Sequence, residues 1–282
     1  MLNTEKLENI IEKFGGDTSK LDTNLESERL DMLMNMEGGG SGGSGKYKPR
    51  FILFSGYTGS ELNEELANLD TSLITSMNQM FKGCSSVNNL NLSNFNTNNV
   101  TDMGSMFYSC NNIVNLDLNN FNTSKVTNMG SMFGYCKYLK NLDLKNFDTS
   151  EVTRTDSMFY GCERLVSLNL SNLDFTKLTR ITDMFRNCTG LTDLEFGINC
   201  GKSFTYKSGD YNYYRLNLST CTSLTHDSLM SVINNLYDLN LTYDVANGGT
   251  LYTQSLVLGA TNLAKLTEEE IAIATNKGWI VS

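Results

Sequence analysis

The sequence predicts an α/β solenoid, a stack of similar structural units that follow one another along the chain. Three observations lead to this fold class. Three residue types recur every 26 residues, pairs of apolar residues keep the same period, and each unit contains a strand-like and a helix-like pattern. A fixed period between about 20 and 50 residues is typical of solenoids. The recurring columns are Phe81, Phe107, Phe133, Phe159 and Phe185, then Met80, Met106, Met132, Met158 and Met184, then Cys84, Cys110, Cys136, Cys162 and Cys188.

One repeat, residues 87–112, shows how each unit is expected to fold. Leu90 and Leu92 alternate with polar residues, which predicts a short strand. Four apolar residues at the spacing of a helix face then predict a short helix, formed by Met103, Met106, Phe107 and Cys110. Stacking would pair equivalent strands in parallel. The expected strands are residues 90–92, 116–118, 142–144, 168–170 and 194–196.

The C-terminal part of the chain departs from the 26-residue period and is expected to cap the stack. Thr225 is predicted to cap a helix that runs through Leu229 and Ile233. Residues 267–270 carry a capping box, in which a threonine and a glutamate satisfy each other's backbone amides at a helix start. Gly278 should end that second helix. Closing strands are expected at residues 216–218, 255–258 and 279–281.

The order of these patterns divides the chain into three parts. Residues 1–37 carry two amphipathic helix patterns, residues 38–46 form a Gly/Ser linker, and residues 47–282 form the solenoid. The helices are predicted either to dock on their own domain or to attach to a partner. Whether the linker is native or engineered stays open. Within the solenoid, we expect regular repeats at about residues 70–196, an irregular insertion at 197–214 and capping units at 215–282.

The repeat consensus resembles a known family. The pattern L-x-x-L-x-L-x-x-F-x-T-x-x-V-T-x-M-x-x-M-F-x-x-C is similar to the leucine-rich repeats of BspA-type bacterial surface proteins. This resemblance implies a right-handed α/β horseshoe with a parallel sheet on its concave side. The short helices, the Gly-rich tract and the ending around residues 258–263 and 274–279 are similar to repeat proteins encoded by phages and prophages.

Composition narrows the function classes. The formal net charge of −9 argues against binding to nucleic acid and to anionic lipid, because both require a basic surface. No stretch is long and apolar enough to predict membrane insertion, and the N-terminus has no recognisable signal peptide. The single histidine, His226, has no evident nucleophile or orienting partner and is expected at the surface or at a helix cap. We therefore expect no enzyme activity, no cofactor and no metal.

Two further columns are interpreted as structural. One cysteine per repeat would form a line rather than a tetrahedral metal site, so these thiols are expected to be buried, reduced and without metal. Cys200 and Cys221 lie outside the column and could pair under oxidising conditions. An asparagine after each strand is expected to hydrogen-bond the backbone of adjacent repeats. These asparagines are Asn94, Asn120, Asn146 and Asn172.

The candidate ligand site lies on the strand face. The residue between each pair of strand leucines points outward, and this column consists of Asn91, Asp117, Asp143, Asn169 and Glu195. Amides and carboxylates suit sugar hydroxyls or a polar protein surface, and they do not suit phosphate. A tyrosine-rich insertion adds amphipathic contact area through Tyr206, Tyr211, Tyr213 and Tyr214. The alternatives are a solvated sheet face and an insertion that only covers the sheet edge.

These features favour a non-enzymatic binding module that recognises a protein or glycan on a cell surface. We expect a phage or prophage virion protein, associated with a tail or fibre, whose residues 1–37 attach to a virion structural protein or form a homo-oligomer. The alternative is a bacterial cell-surface adhesin of the BspA type. The expected location is accordingly a virion or the bacterial cell surface.

Overall fold

The computed structural model describes Phe54 and residues 62–63, 66–67, 69–202, 215–241 and 254–282. The predicted helices and linker of residues 1–46 lie outside the described residues, as do all four tyrosines of the insertion, Tyr206, Tyr211, Tyr213 and Tyr214. Among the described helices, none combines the length and the hydrophobicity that crossing a bilayer requires.

Short parallel strand pairs and a few helices form a mixed α/β structure. In the repeats, the strands are β1 (Asn115–Leu116), β2 (Asn141–Leu142), β3 (Ser167–Asn169) and β4 (Asp193–Glu195). β1 pairs with β2 and β3 with β4, both in parallel, and each residue pairs with its equivalent in the next repeat, as Leu116 does with Leu142. The parallel pairing is as predicted. Each of these strands begins one residue earlier than predicted, β1 and β2 are also one residue shorter, and residues 90–92 form no strand among the described residues.

The predicted helix of Met103, Met106, Phe107 and Cys110 is wrong. Ser105 and Ser109 have φ values of 53° and 60°, in the left-handed region, and the segment is a series of turns. The left-handed residues reorient alternate amides. Consequently the N–H groups of Met103, Ser105 and Phe107 donate to carbonyls of the next repeat at 2.8–2.9 Å, whereas that of Met106 donates to Met103 at 3.2 Å. This segment and its equivalents in the other repeats, here named the Met-Phe-Cys segments, therefore form a second ladder of hydrogen bonds between repeats.

Phenylalanine rings fill the core between the two ladders. Successive rings of the column from Phe81 to Phe185 are stacked, with centroids 5.5–5.7 Å apart and planes within 13° of parallel. Every ring of this column is fully buried. Aromatic contacts of this kind add to the free energy gained by burying apolar area. Because each ring contacts the rings of neighbouring repeats, the core is continuous along the stack.

The cysteines accompany the rings. Each thiol of the column donates to a phenylalanine carbonyl about one repeat earlier, with Sγ–O distances of 2.9–3.2 Å; Cys110, for example, bonds to Phe81. All seven cysteines are buried and none forms a disulfide. Placing Cys221 outside the column was wrong, because its thiol donates to the carbonyl of Phe185 and extends the same ladder. The larger spacing from Cys188 to Cys221 concealed this in the sequence.

Columns of polar side chains form hydrogen bonds with backbone groups that the two ladders do not pair. As predicted, the asparagine amides donate to carbonyls of the preceding repeat; Asn120 Nδ2 lies 2.9 Å from the Leu92 oxygen and 3.0 Å from that of Phe95. A column of buried threonines forms hydrogen bonds with the backbone of the following repeat. Thr97 Oγ1 donates to the Asn122 carbonyl at 2.9 Å and accepts the Asn122 N–H at 2.7 Å. Such pairing avoids the cost of burying unsatisfied polar groups.

The C-terminal part caps the stack with three strands and three helices among the described residues. The parallel sheet has the order β5 (Arg215–Asn217), β6 (Gln254–Val257) and β7 (Trp279–Val281). The helices are α1 (His226–Asn235), α2 (Gly259–Leu263) and α3 (Glu268–Asn276), with a 3₁₀ turn at Leu239–Leu241. The Thr225 cap and the capping box of Thr267 and Glu270 are confirmed. Gly278, with φ of 85°, follows α3 as predicted.

At this cap, the chain next to strand β5 takes the position of a Met-Phe-Cys segment, and helix α1 takes the position of a strand. Asn187 N donates to Thr220 Oγ1 at 2.8 Å, so the chain next to β5 continues the ladder of the Met-Phe-Cys segments. Helix α1 lies instead against β4. The hydroxyls of Ser228 and Ser231 accept the N–H groups of Leu194 and Phe196 at 2.8 and 2.9 Å. The helix thereby occupies the edge where a further strand would pair.

The buried thiols should resist modification in the native protein. Burial raises the pKa of the Cys136 thiol to about 12, and it raises the pKa of Cys162 and Cys188 as well. The thiolate is the reactive species, so these side chains lack both access and ionisation at neutral pH. We expect the native protein to remain unlabelled by a maleimide over hours and the urea-unfolded protein to take up label at all seven cysteines. Rapid native labelling of most of the column would contradict this packing.

Candidate ligand-binding surface

The outward residues of the strand face form a continuous exposed row, here named the polar strip. It consists of Asn91, Asp117, Asp143, Asn169 and Glu195. The strand leucines on either side are buried, because successive side chains of a strand point to opposite faces. Asn169 pairs in register with Glu195, and its Nδ2 donates to Glu195 Oε2 at 2.6 Å. The structure thus places the predicted strip residues on one face.

Four of the five strip residues also hold the turn that ends their strand. Asp117 Oδ1 accepts the N–H of Asn119 at 3.0 Å, and Asp143 Oδ1 accepts that of Lys145 at 3.0 Å. Asn91 and Asn169 make the same Asx turn with the residue two positions later. This structural role was missed in the sequence analysis. It explains why only Asn and Asp occupy these four positions, since both offer an Oδ1 acceptor at the required distance.

Lys145 modifies the charge of the strip locally. Its ammonium lies 2.6 Å from Asp143 Oδ2, and both side chains are more than half exposed. The hydrogen bond from Lys145 lowers the pKa of Asp143, so this carboxylate is ionised throughout the neutral range. Within the described part of the chain, no group of His, Cys, Asp or Glu is arranged to hold a metal ion. The strip therefore offers amide donors and carboxylate acceptors for hydrogen bonding along a line.

A second surface was missed in the sequence analysis. The half-buried rings of Tyr108, Tyr135 and Tyr160 contact one another, with centroids 5.4 and 4.9 Å apart. At its two ends the row carries cations, with Lys82 Nζ 5.7 Å from the Tyr108 centroid and the Arg186 guanidinium 5.8 Å from that of Tyr160. We name these five residues the tyrosine ladder. Positions 82, 108, 160 and 186 share one column of the repeat, which is a partial sequence signal, but Tyr135 belongs to the next column.

Two glycines make room for the ladder. A Cβ atom at Gly134 would lie 2.9 Å from Cδ2 of Tyr108, which is closer than real side chains approach. At Gly161, which has φ of 71°, a Cβ would lie 3.1 Å from Cδ1 of Tyr135. Each glycine occupies a position that holds a tyrosine in another repeat, so small and large residues alternate along the surface. The ring packing therefore depends on both residue types.

The repeats match a known protein family. Residues 53–140 and 89–196 match, in two overlapping stretches, the family described as Mycoplasma protein of unknown function, DUF285. Together the stretches run from residue 53 to 196, a little over half of the chain. The chain belongs to this family. Membership agrees with the resemblance to BspA-type repeats. Neither a curated protein nor a solved structure matches the chain.

In this DUF285 chain the only histidine lies at the surface of the C-terminal cap. His226 Nε2 is 2.8 Å from Glu270 Oε1, and this contact joins the first turn of α1 to the capping box of α3. The hydrogen bond to Glu270 raises the pKa of His226, with a smaller contribution from Asp227. Hydrogen bonds from the Thr267 backbone and from His226 lower the pKa of Glu270. The contact thus fastens two helices and leaves His226 outside both candidate surfaces.

Replacing Asp117 should separate the turn from the charge. Asp117→Asn keeps an Oδ1 acceptor and should leave the free energy of unfolding unchanged within about 0.5 kcal/mol. Asp117→Ala removes the acceptor of the Asx turn and should destabilise the protein by about 1 kcal/mol. Urea unfolding followed by circular dichroism measures both. Equal stability of the two variants would show that the turn does not depend on this side chain.

The His226–Glu270 contact predicts a pH-dependent contribution to stability. Since the folded pKa of His226 is raised, its contribution is complete below the unfolded value of about 6.5 and is lost as pH rises through the folded value. Since the folded pKa of Glu270 is lowered, its contribution is present above about 4.3 and is lost as pH falls through the folded value. The difference in Tm between wild type and His226→Gln should therefore be largest between about pH 5 and 6. A difference that stays constant from mildly acidic to mildly alkaline pH would contradict this assignment.

Proposed function

We propose that residues 47–282 form a right-handed leucine-rich-repeat solenoid and that the protein is a non-enzymatic binding module for a cell surface. The parallel strand pairs, whose partners are equivalent residues of successive repeats, support the solenoid. So do the isolated parallel bridges that join the second ladder from Ser76 through Asp102, Asn128 and Arg154 to Arg180. In such a horseshoe the strand face is concave and offers an extended surface for a ligand.

The observation that carries this proposal is the polar strip. Its side chains are exposed at every repeat from 91 to 195, although the fold uses only one oxygen of each Asx residue for its turn. Asp143 Oδ2 also contacts Lys145, and Asn169 Nδ2 bonds to Glu195 Oε2, but the strip side chains are still exposed, at intervals close to the strand spacing of about 4.8 Å. An extended glycan or a polar protein segment could therefore be bound at several points at once.

For the location we propose a virion. In this proposal the protein belongs to the tail or fibre of a phage or prophage, and residues 1–37 attach it to a virion structural protein or join copies into a homo-oligomer. The Gly/Ser tract of residues 38–46 would let the binding module move relative to that attachment. The second candidate is a bacterial cell-surface adhesin of the BspA type, and it rests on the BspA-type repeat, with which DUF285 membership is consistent.

Binding to isolated envelopes of the bacterium in which the gene occurs tests the proposed surface. Asp117→Asn/Asp143→Asn removes two charges and retains both turns, and Asp117→Lys/Asp143→Lys reverses them. The matched control is Glu151→Lys/Glu163→Lys, which changes two carboxylates that are about half exposed and lie outside the strip. We expect the strip variants to bind about tenfold more weakly than wild type and the control to bind normally.

Three outcomes decide between the alternatives. Normal binding by both strip variants, shown to be folded by circular dichroism, would place the ligand elsewhere. Antibodies against the protein should detect it in purified virions if the virion proposal holds, and on cell envelopes without virions if the adhesin alternative holds. Deletion of residues 1–37 should abolish incorporation into virions and leave binding to envelopes intact.

A further inference from the structure

We infer that the tyrosine ladder is a second interaction surface and that it binds an acidic segment of a partner protein. The inference goes beyond the binding role of the polar strip and does not depend on it, because the ladder lies on the Met-Phe-Cys segments rather than on the strands. It rests on three observations: the rings are not required by the fold, they are flanked by cations, and the polar strip carries mostly carboxylates instead.

The fold does not require a tyrosine at these positions. Tyr135 has φ of 58°, and the equivalent positions of the other repeats hold Gly83, Ser109, Gly161 and Asn187, all at positive φ. A bulky side chain is rare in this conformation, which favours glycine and small polar residues. Tyr135 is thus the exception in its column. Strained residues of this kind cluster at functional sites, because the surrounding structure must hold them in place.

The three rings are also ordered by one another. The ring of Tyr135 lies against that of Tyr160, with centroids 4.9 Å apart and an interplanar angle of 51°. The edge-to-face contact of Tyr108 with Tyr135, at an interplanar angle of 77°, fixes the third ring. Rings that are already ordered lose little conformational entropy on binding. Tyrosine is for this reason enriched among the residues that dominate the free energy of protein association.

Charge indicates the kind of partner. The cations Lys82 and Arg186 lie against the end rings of the ladder. Among nearby carboxylates, Asp183 lies 3.4 Å from Arg186. The ladder is thus basic and aromatic in a chain whose net charge is −9, whereas the polar strip is acidic. A partner segment with carboxylates complements this surface and would be repelled by the strip.

The geometry favours an extended segment. Lys82 and Arg186 lie at opposite ends of the row, four repeats apart, with the three rings between them. An acidic peptide could place one carboxylate near each cation while its backbone crosses the rings. Arginine and tyrosine are among the residue types enriched at protein interfaces, which is why we infer a protein rather than a glycan.

Binding of a short fluorescent peptide of alternating glutamate and glycine, measured by anisotropy, tests the inference. The full chain should bind this peptide, and raising the salt concentration should weaken binding. An equivalent lysine peptide should show no binding that the ladder variants weaken. Lys82→Gln/Arg186→Gln should weaken binding by about tenfold, as should Tyr135→Ser, which adopts the residue of Ser109 in the preceding repeat. The matched controls, Tyr138→Ser and Lys145→Gln, change an exposed tyrosine and a lysine outside the ladder and should bind normally.

Four results would overturn the inference. The first is that the glutamate peptide does not bind at millimolar concentration. The second is equal binding by the ladder variants and the controls. The third is binding of the acidic polysaccharide hyaluronan at the ladder in place of the peptide, which would make the ligand a glycan. The fourth is concentration-dependent self-association, measured by sedimentation, that is lost in the ladder variants and in Asp117→Lys/Asp143→Lys, because the acidic strip of a second copy would then be the occupant. If Tyr135→Ser unfolds, the Lys82→Gln/Arg186→Gln variant decides alone.

Discussion

The stack depends on hydrogen bonds between backbone amides of neighbouring repeats. An isolated repeat has too little regular structure to satisfy its own amides, since its strands are two or three residues long and its Met-Phe-Cys segment is not a helix. The ladder at Met103, Ser105 and Phe107 directs alternate N–H groups to the next repeat. A backbone that relies on its neighbours in this way tolerates no change of register. The constant period of the repeats, the stacked rings and the thiol ladder all follow from it.

Part of this fold could be predicted from the sequence, because burial and helix capping leave recognisable patterns. The leucines of β1 to β4, the buried cysteines and the caps at Thr225 and Thr267 follow from periodicity and side-chain chemistry. The Met-Phe-Cys segment could not be assigned by periodicity. Buried residues at i, i+3, i+4 and i+7 also arise where left-handed residues alternate with right-handed ones. Gly83 and Gly161, at positions that need positive φ, were the available sign.

The two candidate surfaces also differ in how far the sequence predicts them. The polar strip could be predicted because strand alternation alone decides which side chains face outward. Its Asx turns were not predicted, because an Asn or Asp in this column suits an exposed ligand-binding position as well as a turn. The tyrosine ladder combines positions 108, 135 and 160, which are not in one column, and only the structure shows that the rings meet. Contacts between columns depend on packing, which a repeat consensus does not encode.

The helix at the edge of β4 has a consequence for solubility. An exposed edge strand presents free N–H and C=O groups, and a strand from another molecule can pair with them and start aggregation. Here the hydroxyls of Ser228 and Ser231 already accept the N–H groups of Leu194 and Phe196. A helix cannot propagate a sheet, so the donors at this end are used without creating a new template. The protein can therefore expose its short parallel strand pairs while its β4 edge is closed to other chains.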